Sequence, residues 1–326
     1  MNTRSLALTV IGGLLSIWGT CAVAQSYPAK TITVVVPFAA GGPTDSLARI
    51  MAERMTRGLG RQVVVDNTVG ASGTIGVRRV ARAAPDGYTV GIGHWSTHVV
   101  NGAVYNLDYH VFNDFDPVAL VFTNPQLIVS KRDLPAQNLK ELIEWVKANQ
   151  NRVSAGTAGV GAASHVAALF FQNKTGTNFQ LVPYKGAGPA LQELMGGQID
   201  IMFDQASNSL PHVRSGRIKA YAVTAKERTA AAPEIPTVDE AGLPGLYIAI
   251  WHGYWLPKGT PKEVNARLNA AIVEALVDDT VRKRLAELGQ TIAPREQQTP
   301  EGLAAYHKAE IELWWPLIKA AGIKAE

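Results

Sequence analysis

Apolar positions along this chain follow two alternating rhythms. Short β-branched runs at 31–36, 62–66 and 88–93 are separated by stretches in which apolar residues recur every three or four positions. The first such stretch puts Leu47, Ile50, Met51, Met55 and Leu59 on one helical face. It opens at Thr44 or Asp45, both good N-caps, and Gly60 stops it. A shorter helix opens at Gly70-Ala71-Ser72-Gly73 and ends at the turn Pro85-Asp86-Gly87. Strands alternating with helices predict an α/β fold.

A second unit starts near Asn124-Pro125, with strands expected over 126–130, 153–155, 179–182, 199–203 and 220–223. Helices are expected between them over 139–148, from about 163 onward (Val166, Leu169 and Phe170 on one face), and over 189–195 and 208–215. Beyond Thr237 the pattern turns mainly helical, at 262–276, 281–288 and 301–321. No tandem repeat of solenoid period is present. One echo is: 33–50 and 153–171 share the plan strand, glycine-rich loop, helix, and they fall in different units.

The ends and the composition narrow the class. Arg4, the apolar run from Leu6 to Ile17 and Ala22-Val23-Ala24 predict a signal peptide over 1–24, cleaved after Ala24. The run is too short for a permanent anchor. The single cysteine, Cys21, lies inside this leader, so the expected mature chain lacks thiol chemistry, disulfides and cysteine-ligated metal. The net charge of +4 is spread over scattered basic residues, which sets nucleic-acid binding aside.

The two glycine-rich loops carry the candidate chemistry. A helix N-terminus has unpaired N–H groups and partial positive charge, and glycine lets an anion approach them. Two such ends across a cleft suit an anion; ordinary tight turns would look the same. The P-loop and dinucleotide fingerprints both fail on spacing, since Gly41-Gly42 is followed by Pro43-Thr44 without a lysine and Gly156, Gly159 and Gly161 give GxxGxG. Gly70-Ala71-Ser72-Gly73 is not a nucleophile elbow, and His94 with His98 does not make a zinc site. Asp45 reads as an N-cap or a ligand contact, and Ser164 and His165 carry the same ambiguity. Asp204 ends a strand and reaches either a cleft or solvent. Trp95, Trp251 and Trp255 read as pocket wall or as core.

Longer motifs point to a family. Pro37-Phe38-Ala39-Ala40-Gly41-Gly42-Pro43-Thr44-Asp45 resembles the signature loop of Bug-type solute-binding proteins, the periplasmic receptors of tripartite tricarboxylate transporters. The resemblance continues through Asn67-Thr68-Val69-Gly70-Ala71-Ser72-Gly73, Ala84-Pro85-Asp86-Gly87-Tyr88-Thr89 and Val182-Pro183-Tyr184-Lys185-Gly186. Gly196-Gly197-Gln198-Ile199-Asp200, Ile235-Pro236-Thr237-Val238-Asp239-Glu240-Ala241-Gly242 and Pro257-Lys258-Gly259-Thr260-Pro261 extend it over nearly the whole expected mature chain.

The resemblance implies a two-lobe, type II Venus-flytrap α/β fold with two crossovers. Lobe one would be 27–123 plus 228–326, and lobe two 124–227. It implies that Phe38, Ala40, Gly41, Gly42, Thr44 and Asp45 in one loop and Thr157, Ala158, Gly159, Gly161, Ser164 and His165 in the other bind a small carboxylate through backbone N–H groups and water. Trp95, Ser96, Thr97 and Asp204 complete the candidate set. Two departures stand out: Pro43 where the family often has a small residue, and the bulky Trp95 where smaller residues are expected. The second suggests an aromatic carboxylate. The implied role is a monomeric, non-catalytic receptor without cofactor or metal, serving membrane permease subunits. A ligand sensor for a membrane kinase needs the same clamshell, and a hydrolase using Ser72 or Ser164 is the remaining alternative.

Overall fold

The computed structural model describes residues 27–320 and 322–324, so the expected leader and its cleavage site lie outside the described residues. The first lobe opens with β1 (Ile32–Val36), α1 (Pro43–Leu59), β2 (Val63–Asn67), α2 (Thr74–Ala81), β3 (Thr89–His94) and α3 (Asn101–Val104). A 17-residue strand, β4 (Phe115–Lys131), leads out of it. The second lobe follows with α4 (Leu139–Ala148), β5 (Ser154–Thr157), α5 (Ala163–Thr175), β6 (Gln180–Pro183), α6 (Ala187–Met195), β7 (Ile201–Gln205), α7 (Ala206–Arg214) and β8 (Ile218–Val223). The chain returns through β9 (Ala249–Pro257) to α8 (Lys262–Val277), α9 (Asp279–Glu287), β10 (Thr291–Ile292) and α10 (Pro300–Ala320).

Among the described residues the strands form one curled sheet, ordered β2-β1-β3-β9-β4-β7-β5-β6. β1 lies parallel between β2 and β3, and β9 runs antiparallel to both β3 and the first half of β4. The second half of β4 pairs antiparallel with β7 and β8, and β5 runs parallel to β6 and β7. β4 and β9 therefore join the lobes side by side, with Asn124 opposite Ile250 and Pro125 opposite Ala249.

The helices form where the periodicity predicts them, because each buries its apolar stripe on this sheet. Leu47, Met51 and Met55 of α1 pack with Leu268 and Ile272 of α8 over Ile32, Val34 and Val36. Burial of each such side chain contributes about 1.5–3 kcal/mol. Pro43 at the first helical turn and left-handed Gly60 at the end fix the limits of α1. In the second lobe Leu191 and Leu194 of α6 and Leu210 of α7 cover Leu127, Val129 and Met202.

The structure departs from the sequence reading in three places. Residues 249–257, given no element of their own in a mainly helical stretch, form a strand, and β4 begins at Phe115, not at 126. β9 is buried from Ile250 to Pro257 and therefore shows no alternation. β4 carries Pro117 and Pro125, and its register against β9 shifts at two irregularities. Residues 228–248, assigned by sequence to the first lobe, pack with the second. Val238 N–H donates to Val223 O, Ile248 N–H donates to Thr224 O, and Ala232 and Ile235 join the core around Leu191.

Candidate functional site

Each glycine-rich loop ends at a helix whose N-cap offers no side-chain acceptor. Gly42 caps α1 and Ala162 caps α5, both with extended backbone. Elsewhere in the molecule the Asn138 and Asp278 side chains accept first-turn N–H groups of α4 and α9. The first-turn amides of Thr44 and Asp45 in α1, and of Ala163 and Ser164 in α5, thus have no acceptor within their own helices.

The loops are stiffened from behind instead. Gly41 N–H donates to Asp45 Oδ2 at 2.9 Å, and Asn67 Nδ2 donates to both Asp45 Oδ1 and Phe38 O. Arg49 pairs with the same carboxylate at 2.9 Å. Burial pushes Asp45 up, but the Arg49, Gly41 and Asn67 hydrogen bonds together hold it below the usual carboxylate range. Asp45 is therefore the strut of the first loop, not its N-cap. In the second loop Ala158 N–H donates to Ser164 Oγ at 2.8 Å, Gly159 N–H to Thr157 Oγ1, and Gly161 N–H to His165 Nδ1. Burial lowers the His165 pKa, which favours the neutral ring that accepts this bond.

Between the loops lies a cavity enclosing about 360 Å³ of empty space, part of it open to solvent. The first lobe lines it with Phe38, Pro43, Thr44 and His94, and the second with Ala158, Ala162, Ala163, Ser164, Ala187, Phe203, Asp204 and Gln205. Gln126, where β4 crosses, completes the wall. Both helix N-termini open on this space. His94 stacks on Phe38 at 4.9 Å, and its Nδ1 accepts the Ser96 N–H. Burial lowers His94 to about 3, so the ring is neutral at physiological pH, with its proton on Nε2. Burial raises Asp204 to about 7, opposed by hydrogen bonds from Ser209, Asn208 and the Gln205 backbone.

Of the residues marked from sequence, Phe38, Thr44, Ala158, Ser164 and Asp204 line this cavity. Ala40 and Gly41 are exposed and outside the lining, while Gly42, Thr157 and Gly161 are buried in the loop backbones. Gly159 borders an adjoining recess with Ser72, Tyr184 and Lys185. Trp95 is not part of the wall: it is 1 % exposed and packs on Trp314 of α10 at 4.8 Å. Trp251 donates to Glu310 of α10, and Trp255 stacks on His98, so all three indoles belong to the core. The Ser96 hydroxyl pairs with His94, and that of Thr97 with His94 O and His98. The aromatic-ligand expectation loses its motive with Trp95. Sequence reading did not single out Pro43, His94, Ala162, Ala163, Ala187 and Phe203 as wall residues. It also missed Gln126 and Gln205, which carry no local signal and meet only through the β4–β7 register.

The lobes touch across the cleft. Ser72 Oγ and the Tyr105 hydroxyl donate to Val160 O, and Ala39 N–H donates to Lys185 O at 3.4 Å. Neither Ser72 nor Ser164 is hydrogen-bonded to a histidine.

Comparison with known proteins agrees with this architecture. A family model described as "Tripartite tricarboxylate transporter family receptor" matches residues 47–323. Protein BugT of Bordetella pertussis is 34 % identical, over 99 % of this chain and 99 % of its own. The solved structure of the periplasmic binding protein BugD is 42 % identical, with TM-score 0.89 over 92 % of this chain and 100 % of that one. MatC from Rhodopseudomonas palustris with bound malate is 40 % identical, with TM-score 0.86 over 90 % and 100 %. R. palustris Rpa4515 with adipate is 33 % identical, with TM-score 0.87 over 92 % and 100 %.

Proposed function

Because the chain belongs to the tripartite tricarboxylate transporter receptor family, we propose that it captures a small carboxylate, most simply a dicarboxylate, between its lobes in the periplasm and presents it to membrane permease subunits. One observation carries this reading: two helix N-termini, neither capped by a side chain, open on the same cavity. Their amides and dipoles favour an anion, and burial in the cleft makes those interactions count. Related proteins hold malate and adipate, both small carboxylates. Phe38, stacked on His94, and Phe203 would cover the carbon skeleton. Exposed Lys185, on the rim of the adjoining recess, would draw anions toward the cleft.

The family is a receptor family, and we read this chain as non-catalytic. The chemistry needed is capture and release: hinge movement about the β4 and β9 crossings opens the cleft, and the Ser72, Tyr105 and Ala39 contacts mark its closed form. Titration calorimetry with succinate, malate, adipate and citrate tests the reading. At least one should bind, and small-angle scattering should show a free form more extended than the bound one. Absence of heat and of thermal shift for every carboxylate would overturn it.

A further inference from the structure

The two ends of the sheet's strand order are β2 in the first lobe and β6 in the second. Each pairs in parallel with a single strand, so alternate residues turn their N–H and C=O outward. On β6 Gln180 N–H donates to Val153 O and Tyr184 N–H to Thr157 O, which leaves Leu181 and Pro183 facing outward. Proline has no N–H, so this edge is blunted. On β2 Gln62 O accepts from Ile32 N–H and Thr68 N–H donates to Val36 O, which turns Val63, Val65 and Asn67 outward. The Val63 N–H is taken by Thr56 Oγ1. The N–H groups of Val65 and Asn67 and the carbonyls of Val63 and Val65 have no partner among the described residues.

Neither proline nor lysine interrupts β2, and Val64 is 42 % exposed. An open groove beside the strand is lined by Arg49, Arg57, Thr56 and Val63 to Val65, with Glu53 as its one acid. Glu53 is already matched by Arg57 at 3.2 Å and Arg284 at 2.9 Å. Exposed Arg61, just before the strand, has no ion pair among the described residues. The edge thus combines free main-chain groups with surplus positive charge. We propose that β2 is a docking strand: an extended, acidic periplasmic segment of a membrane permease subunit adds to the sheet beside Val65, its carboxylates facing Arg57 and Arg61. In strand addition the main-chain bonds supply affinity and the side chains select the partner. The inference rests on the permease reading above and names where that partner sits. β2 ends at Asn67, whose side chain donates to Phe38 O and Asp45 Oδ1, so the docked segment lies directly behind the first ligand loop.

Fluorescently labelled protein titrated onto lipid vesicles that carry the permease subunits, and onto the same vesicles without them, tests the proposal. Binding should require the subunits. Val65→Pro removes one outward N–H and leaves the ladder to β1 intact, and it should weaken this binding about tenfold. Arg57→Glu combined with Arg61→Glu should weaken it about as much, and more at low salt than at high. Both changes lie away from the cleft, so calorimetry should show carboxylate affinity within about twofold of the parent. Melting shows whether Val65→Pro folds; the arginine pair is exposed, so its reversal decides the matter if it does not. No binding to permease vesicles, equal binding to vesicles without subunits, or unchanged binding of the folded variants overturns the docking strand. So does a dimer of the parent that Val65→Pro abolishes, since a second copy would then occupy the edge. Failure of every carboxylate to bind would remove the ligand reading alone, because docking is read on the vesicles.

Discussion

Two aspartates stand beside the cleft, both almost fully buried, and the fold treats them in opposite ways. Asp45 sits behind the first loop with Arg49, Asn67 and the Gly41 amide around it, and its pKa is lowered. Asp204 faces the cavity among neutral donors only, and its pKa is raised to about 7. Burial alone therefore does not decide the charge; the partners do. The groups around Asp45 find their partners without a ligand. Asp204 instead lines the cavity, held by Asn208 and Ser209 with no cation beside it.

The largest expected effect tests the finished side. Asp45→Ala leaves Arg49, Asn67 and the Gly41 N–H without their common acceptor. It should destabilise the protein by about 3 kcal/mol in urea unfolding. Asp45→Asn keeps an acceptor and should lose about half as much. A loss under about 0.5 kcal/mol for the alanine variant, the scale of ordinary surface changes, would mean the strut is dispensable and the contrast false.

Asp204 should behave in the reverse sense. Its folded pKa of about 7 lies above the model-peptide value of about 3.9, so between those values the native state holds more protons than the unfolded one. Stability from this group is thus lost as pH rises through that window and is unaffected below it. Asp204→Asn should raise stability at pH 8 by about 2 kcal/mol and leave it unchanged at pH 3.5, read by thermal melting of the free protein. A variant that is less stable at pH 8 would make Asp204 a structural acid like Asp45.

How far the sequence carried this picture depended on where each signal lies. The strand–loop–helix units at 33–50 and 153–171 were legible because glycines, caps and helical periodicity are local. β9 was not, because Trp251, Gly253 and Trp255 on one face and His252 and Tyr254 on the other are all buried and leave no alternation. Trp95 was ambiguous because its partner, Trp314, comes more than two hundred residues later on α10. Asp204 could be picked as an acid ending a strand. Gln126 and Gln205 could not, since neither has a neighbouring motif and their meeting is a matter of register. Asp45 was read as a cap because an acid in the first helical turn fits that role; its position behind Gly41 emerged only from the loop's conformation.

The smallest expected difference concerns the loops themselves. Gly42 has φ −83°, and a Cβ there would meet nothing nearer than Ala39 O at 3.3 Å. Gly159 has φ +119°, and a Cβ there would lie 2.5 Å from Ser72 Oγ, the group that donates across the cleft to Val160 O. Alanine at 159 therefore strains its own backbone and also obstructs closure. Alanine at 42 does neither and only crowds the amide end of α1. Gly159→Ala should weaken carboxylate binding about tenfold, or about 1.4 kcal/mol, and Gly42→Ala less than threefold. Since part of the Gly159 penalty exists in the open form, melting of the free variant separates strain from lost closure: strain lowers the melting point without ligand, whereas lost closure shows only in the affinity. Equal affinities for the two variants would show that bringing the second loop against Ser72 adds nothing to binding, and the asymmetry between the lobes would then reside in Asp45 and Asp204 alone.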